Sequence, residues 1–554
     1  MKKADNYLHL FGWILKNSKE YRFRIILMLF INVFFTVSSL ITVILSKSII
    51  DYATVGKDFT TIIIIYVIVM IVDLLLHAGA QLLAAIINEK VSFGIRKNVY
   101  DKIIRTSWQN ISKYHSGDIV TRLSSDAGTI ADAIVNTIPN IITLFIELIL
   151  VFFTLFSYSP FLAFLGLTVA PVAVLVSWLF ARRLKVLQRK VQESESAYNS
   201  FLQESLANIL IVKAFANEDD SVEKLSELRS TRFYWVFKRS RAGLAGSTVI
   251  SLAFHIGYLS AFTFGAIQIS KSLITYGTMS VFLSLINRVQ SPIIDLSHKL
   301  PRVVAMFTSA ERVIELSEFP PEKSLDTDID TTELGVYAEG LTFGYVENES
   351  VLKDVSFHIK PGESTAVIGE SGIGKTTLIR LIMSFVEPDS GKIVFFNKKG
   401  EEIPANAGLR KYISYVPQGN TLFSGTIKDN VLIGRTEATD EEIKEALKLA
   451  SALDFVESLP DGINTRIGEK GLGLSEGQAQ RIAIARALIR KAPFLIFDEA
   501  TSALDEATEQ KVIHGMEQLS PRPACLIITH RKSILKYCSQ ELIIENKGMS
   551  AVKA

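Results

Sequence analysis

Long stretches free of charge alternate with basic ones through the first 300 residues. Residues 25–46, 161–181 and 242–270 contain no acidic or basic residue, 61–88 contains only Asp73, and 134–159 contains only Glu147. A shorter apolar stretch covers 272–287. About 20 apolar residues wound as a helix cross the hydrocarbon core of a bilayer, so the pattern predicts six membrane spans, all before residue 300. Lys16, Arg22, Arg96, Lys97, Arg182, Arg183, Arg239 and Arg241 lie before the first span, between the second and third, and between the fourth and fifth. The alternate loops carry only Lys47, Lys57 and Lys271. By the positive-inside rule both termini are cytoplasmic, as in a multi-pass protein of the cell membrane. The two internal cytoplasmic connections are rich in helix formers with few Gly or Pro, so they continue the membrane helices into the cytosol.

After Glu318 the periodicity stops. The stretch FPPEKSLDTDIDTTELG has two prolines and an acidic run, and reads as a linker. Beyond it, short β-branched runs (STAVIGE, YISYVP, FLIFDE, CLIITH) alternate with helical stretches, the pattern of an α/β domain with a largely parallel sheet. The expected division is a helical membrane domain over 1–318, a linker over 319–335 and an α/β domain over 336–554.

Composition adds limits. At 554 residues the chain is too long for one core, and a mean hydropathy of +0.29 is high for a soluble protein, in line with the concentrated spans. A net charge of +2, from 59 basic and 57 acidic residues, gives no field that would select nucleic acid. Two cysteines, Cys525 and Cys538, form no metal or disulfide framework and read as reduced cytosolic thiols.

The α/β half carries the chemistry. Gly369, Glu370, Ser371, Gly372, Ile373, Gly374, Lys375, Thr376 and Thr377 form a glycine-rich loop between the strand STAVI and the helix TLIRLIM. Successive backbone N–H groups at a helix start cradle phosphate, Lys375 reaches the β- and γ-phosphates, and the Thr376 hydroxyl suits Mg²⁺. A second strand, PFLIFDE, delivers Asp498 and Glu499 at its C-terminal end. Asp498 would hold the Mg²⁺ shell and Glu499 would polarise the attacking water. Because adjacent strand residues point to opposite faces, the two are expected to take different roles. The strand CLIITH ends in His530, placed for the γ-phosphate or the water.

These motifs, in this order, resemble the ATPase domain of ATP-binding cassette (ABC) transporters. LTFGYVEN resembles the aromatic loop, which implies that Tyr345 stacks on adenine. YVPQGNTLFSGTIKDN resembles the Q-loop, with Gln418 as Mg²⁺ ligand and sensor. GEKGLGLSEGQ resembles the stretch into the signature motif, implying that Ser475, Gly477 and Gln478 contact nucleotide, and SALD resembles the D-loop with Asp505. Six spans with long cytosolic extensions ahead of a fused ATPase resemble the exporter half-transporters. YHSGDIVTRLSSDA (114–127) and ESLANILIVKAFANE (204–218) resemble that group's intracellular coupling segments.

The resemblance implies ATP and Mg²⁺ as ligands and a dimer in which each ATP lies between one chain's P-loop and the other chain's signature. This chain keeps both Glu499 and His530, which favours a homodimer over a heterodimer. The expected activity is ATP-driven export across the lipid bilayer. An importer of the same layout, a regulatory ABC ATPase and a soluble ABC ATPase acting on DNA or ribosomes are the alternatives, the last opposed by the apolar spans. Asp73, His77 and Gln81 lie along one stripe of the second span, and Glu147, His255, Tyr258, Asn287 and Arg288 are further polar groups. Their cost in lipid predicts that they face the bundle interior or a cavity. Few in number and mixed in sign, they suit a small amphipathic drug, lipid or peptide.

One residue sits awkwardly. Glu476 occupies a position in SEGQ where the family has glycine, at the mouth of an anion site. Ser475 and Gln478 fit a capping box, which would put Glu476 at the first helical position, where a carboxylate suits the helix dipole.

Overall fold

The computed structural model describes residues 9–10, 12–14, 16 and 19–553, except 323, 326–329, 347–348, 469–470 and 472; side chains at 162, 165–181, 290–291, 293–294, 297–298, 300 and 551–553 are also outside the description. The chain divides into two compact units, Met1–Asp101 with Ser116–Glu318, and Lys102–His115 with Phe319–Ala554.

The first unit is helical. Its elements are α1 (Arg22–Thr54) and α2 (Thr60–Arg105), then, after the four-residue α3 (Trp108–Ile111) that belongs to the second unit, α4 (Ser116–Tyr158), α5 (Pro160–Ala207), α6 (Ile209–Ala214), α7 (Glu218–Ser270) and α8 (Tyr276–Ser317). Helix α4 passes through two π-turns, at Arg122–Asp126 and Ala133–Thr137. Among the described residues α1, α2, α4 and α7 are long and apolar enough to cross a membrane. The span expected at 161–181 lies in α5, where most side chains are outside the description. The sixth is the first part of α8, an unbroken 42-residue helix despite Pro292 and Pro301. Helices α2, α5 and α7, at 46, 48 and 53 residues, far exceed a bilayer crossing, as the long polar connections predict. Helices α5 and α7 pack along each other, tied by Arg232 to Glu195 and by Arg239 Nη1 donating to Gln188 Oε1 at 2.8 Å. At their tip, α6 and its flanks leave Leu210 77% and Phe215 78% exposed.

Leu40, Val151, Leu155, Ala261, Phe282 and Leu285 form the buried centre of this unit. Buried Asp126 accepts from Ser309 Oγ at 2.9 Å and Arg312 Nη2 at 2.5 Å, while Arg122 reaches Glu315 at 2.7 Å, so α4 and α8 are pinned by charge-assisted bonds. The polar groups of the second span differ in burial within this chain. Asp73 is buried, with no hydrogen-bond partner for Oδ1 among the described residues, whereas His77 and Gln81 are exposed and contact each other at 2.8 Å. His255 is exposed too, its Nδ1 2.7 Å from the Ser251 carbonyl. Arg288 donates to Ser39 Oγ at 2.7 Å and interacts electrostatically with half-buried Glu147.

The second unit holds two larger sheets and one small one. Strands β1 (Leu334–Phe343), β2 (Leu352–Ile359), β4 (Ser390–Asn397) and β5 (Glu402–Pro404) make an antiparallel sheet in the order β2-β1-β4-β5. Strands β3 (Ser364–Gly369), β6 (Ile413–Val416), β9 (Phe494–Asp498), β10 (Ala524–Ile528), β11 (Gln540–Glu545) and β12 (Gly548–Lys553) make the second, in the order β12-β11-β3-β10-β9-β6. Its four pairings along β6-β9-β10-β3-β11 are parallel, and only β12 is antiparallel. Two-residue strands β7 (Gly425–Thr426) and β8 (Arg466–Ile467) pair separately. The parallel sheet is the one the sequence predicts; the antiparallel one is an addition, built on an alternating pattern such as the buried Leu352, Val355, Phe357 and Ile359 of β2. Phe343, Phe395 and Phe494, with Leu378 and Leu381 of helix α9 (Lys375–Ile382), fill the core that joins the two larger sheets. Helices α10 (Glu476–Leu488) and α11 (Glu506–Glu517) pack on a second cluster with Val416, Leu495 and Phe497.

Cys525 and Cys538 are both free and buried, and burial pushes their thiols up to about 12 and about 11. Almost no thiolate is present at neutral pH, and the thiolate is the nucleophile. A water-soluble disulfide reagent at about pH 8 is therefore expected to leave the native chain unlabelled and to titrate two thiols after denaturation, measured by absorbance.

Candidate nucleotide site

Neighbouring parallel strands β3, β10 and β9 end at one edge of the sheet, and their C-terminal ends lead to Gly369, His530 and Asp498. Ligands in open α/β sheets bind at that edge. The loop after β3 turns at Gly372 (φ +83°) and Gly374 (φ +114°), backbone conformations that favour glycine, before α9 starts at Lys375. A Cβ at Gly374 would lie 3.0 Å from the Val351 and Leu352 side chains, so the loop also packs closely on the start of β2.

Lys375 is only 6% exposed. Its ammonium donates to the Gly369 carbonyl at 2.7 Å and the Glu370 carbonyl at 3.1 Å, and lies 3.0 Å from His530 Nε2. Burial lowers its pKa, opposed by the charges of Glu499 and Asp498. Asp498, the last residue of β9, is 3% exposed; its Oδ2 accepts from Thr376 Oγ1 and from Tyr415 OH, each at 3.4 Å. Burial, and then Glu499, raise its pKa, while the Tyr415, Thr376 and Lys375 contacts work the other way. Burial, and then the Asp498 charge, push the Tyr415 phenol far above its usual range, which keeps it a donor.

Glu499 does not continue the strand. It adopts φ +52°, left-handed for a non-glycine residue, so Asp498 and Glu499 diverge through a backbone turn rather than through strand alternation. Its carboxylate accepts from Gln418 Nε2 at 2.7 Å and lies 3.4 Å from His530 Nε2. Lys375, His530, Glu499 and Gln418 thus form one chain of contacts, and Thr376, Asp498 and Tyr415 a second beside it. Thr376 Oγ1 and Asp498 Oδ2 converge as hard oxygen donors. Gln418, by donating its amide to Glu499, leaves its carbonyl oxygen available; this donor set fits Mg²⁺. Tyr345, about half exposed, sits edge-on to Phe343 with ring centroids 5.0 Å apart, and its hydroxyl is 3.3 Å from Thr377 Oγ1.

Ser475, Gly477 and Gln478 stand apart from this group. Ser475 Oγ accepts from the Gln478 N–H at 3.3 Å and Gln478 Oε1 accepts from the Ser475 N–H at 2.9 Å, a complete capping box at the start of α10. Glu476 is exposed as the first residue of α10. A Cβ at Gly477 would lie 2.9 Å from the Ala503 carbonyl, so the helix start packs tightly on the turn that precedes Asp505. Gln480 bonds Ser502 Oγ and the Ala503 N–H, and Arg531 donates to the Ser502 and Leu504 carbonyls, each at 2.7 Å. Asp505 caps α11 by accepting from the Thr508 N–H at 3.1 Å. Tyr415 and Arg531 carry no role in the sequence reading, although both flank its motifs: Tyr415 three residues before Gln418, Arg531 directly after His530.

Residues 25–293 match the family model for the ABC transporter transmembrane region, and 352–502 match that for the ABC transporter ATPase. A Staphylococcus aureus protein named for multidrug export, an ATP-binding/permease protein, is 31% identical over 470 residues, covering 84% of this chain and 81% of that protein. An ATP-dependent lipid A-core flippase from Desulfotalea psychrophila is 31% identical over 472 residues, covering 84% and 82%. A solved bacterial Atm1-family ABC exporter with ATP bound has the same fold, with a TM-score of 0.80 at 22% identity over 96% of this chain and 94% of that one.

A left-handed glutamate costs on the order of 1–2 kcal/mol, part of which glycine's greater unfolded-state freedom offsets. Glu499→Gly is expected to stabilise the chain by roughly 0.5–1 kcal/mol while ATP turnover falls at least about 100-fold, read by thermal melting and phosphate release.

Proposed function

The chain belongs to the ABC transporter family, with the transmembrane region fused to the ATPase, and from that membership we propose that two copies of it form one exporter of amphipathic molecules. ATP hydrolysis coupled to transport, a multi-pass membrane setting and dimerisation come with the family. Multidrug export and lipid flipping by relatives support an amphipathic cargo.

The observation that carries the dimer reading is that, among the described residues, the two halves of a nucleotide site have different hydrogen-bond partners. The P-loop gathers Lys375, Asp498, Glu499 and His530, whereas the hydrogen bonds of Ser475 and Gln478 are to each other. In this reading Ser475, Gly477 and Gln478 meet ATP held by the other copy. Two further features support it. The apolar tip around Leu210 and Phe215 is exposed, and the second unit has a hollow of about 540 Å³ lined by Met383, Arg410, Tyr415, Phe423 and Arg486. Retention of Glu499 and His530 in this chain supports identical partners, and the distribution of Lys and Arg supports cytoplasmic termini.

Within each site the loop 369–377 wraps the phosphates, Lys375 exchanges its two carbonyl acceptors for phosphate oxygens, and Tyr345 stacks on adenine. Thr376, Asp498 and Gln418 would hold Mg²⁺, which when bound neutralises charge on the β- and γ-phosphates. Glu499 orients the attacking water, and His530, between Lys375 and Glu499, contacts the γ-phosphate. Closing two copies on two ATP favours the outward-facing state, and hydrolysis resets it; only binding that discriminates between states can shift them. For cargo, Asp73 and Glu147 are the favoured contacts, because Asp73 is buried with no partner for Oδ1 among the described residues and half-buried Glu147 feels the charges of both Arg288 and Asp295.

In native mass spectrometry, Glu499→Gln is expected to retain two nucleotides on two copies of this chain without turnover. Sustained hydrolysis in that variant would refute the role of Glu499, and a second, different chain in the complex would refute the homodimer. In proteoliposomes, Asp73→Asn and Glu147→Gln are expected to reduce stimulation of ATPase by cationic amphiphiles; stimulation unchanged across a compound panel removes both from the cargo site.

A further inference from the structure

Trp108 is where three separate stretches of the second unit meet. The segment Lys102–His115, which joins α2 to α4, is held by the chain just after α8: the Arg105 carbonyl accepts from the Glu322 N–H at 2.9 Å, Thr106 bridges Pro321, and the Trp108 N–H donates to Glu322 Oε1 at 3.3 Å. Glu322 is bidentate to Arg410, at 2.5 and 3.2 Å, and Arg410 is itself fixed by the Met383 and Ser384 carbonyls, at 2.8 and 2.7 Å. The indole lies against Phe385, with ring centroids 6.2 Å apart, and under the guanidinium of Arg380 at 4.7 Å.

Arg380 has a second attachment. It sits on α9, and its Nη1 donates to the Tyr345 hydroxyl at 2.7 Å. One planar guanidinium thus joins the aromatic ring beside the P-loop to the aromatic ring that opens α3. A fork of N–H donors that also stacks on an indole face is something arginine supplies and lysine does not.

We infer that Arg380 is a positioning residue that couples the base-stacking Tyr345 to Trp108, so that arrival of a purine ring is transmitted to the segment between α2 and α4 of the same chain. The inference rests on the reading that Tyr345 stacks on adenine. Stacking requires the Tyr345 ring to settle against the base; its hydroxyl carries Arg380 with it, and the guanidinium moves over the indole. The other side of Trp108 is anchored through Glu322 and Arg410, so the displacement passes along the peptide into α3 rather than dissipating in a free side chain. Phosphates engage Lys375 and the loop and reach Tyr345 only through its hydroxyl contact with Thr377 Oγ1 at 3.3 Å, whereas a base meets the ring directly, so the relay is expected to answer to the base far more than to the triphosphate.

The test uses the full-length purified chain with Trp13, Trp178 and Trp235 replaced by Phe, leaving Trp108 as the sole indole. ATP without Mg²⁺ is expected to change Trp108 emission, and inorganic tripolyphosphate is not. Arg380→Met is expected to abolish the ATP response while ATP affinity by equilibrium dialysis falls only about two- to fivefold, the equivalent of one exposed cation–π contact. Arg380→Lys keeps the charge and stem and is expected to lose the response as well, which guards against a packing defect in the first variant. An equal response to tripolyphosphate, or a parental response in Arg380→Lys, overturns the inference while leaving the nucleotide site intact. No ATP binding by dialysis in the single-Trp parent overturns the site reading itself.

Discussion

A buried ammonium must be surrounded by acceptors, and the nucleotide-binding unit is organised around meeting that demand at Lys375. With its side chain almost wholly inside, Lys375 takes two loop carbonyls and the imidazole of His530. Three adjacent parallel strands deliver the partners to one edge, and two left-handed glycines fold the loop back over it. The antiparallel sheet contributes as well, because the side chains at the start of β2 pack where a Cβ on Gly374 would go. Two acids flank the same point: Asp498, protonated more readily than usual because it is buried, and Glu499, turned out of the strand. Attraction among these opposite charges, more than any single bond, keeps the groups together.

What could be read in the sequence follows from how local each constraint is. Lipid leaves so few options for backbone polar groups that uncharged stretches alone delimit most spans, and phosphate binding compresses its requirements into nine residues, 369–377. Less accessible were groups that meet only in space. Asp126 and Arg312 are 186 positions apart, and Trp108 and Glu322 are 214 apart, with nothing in either neighbourhood to announce the pairing. The 114–127 stretch resembles a coupling segment, and the compact unit with the ATPase motifs also takes in 102–115, where Trp108 lies under Arg380 with no local pattern to mark it. The stripe Asp73, His77, Gln81 was visible as a spacing, but spacing does not reveal that the last two satisfy each other.

Glu476 looked like a charge in the wrong place. With Ser475 and Gln478 closing a capping box and Gly477 seated on the Ala503 carbonyl, the backbone of this turn is fixed independently of the acid, which lies exposed at the first helical position. A carboxylate there gains about 0.3–1 kcal/mol from the helix dipole. The N–H groups that would face an anion belong to the backbone, so the side chain is free to turn toward water.

Helices α5 and α7 are single rods of 48 and 53 residues, close to 70–80 Å each at about 1.5 Å rise per residue. Packed side by side and braced by Arg232–Glu195 and Arg239–Gln188, they resist bending far better than either would alone. A stiff rod converts a small tilt at one end into a large sweep at the other, in proportion to its length. A pair that tilts as one body would act as a lever whose stroke is set by its length, and shortening it by whole turns would reduce the throw without altering either end.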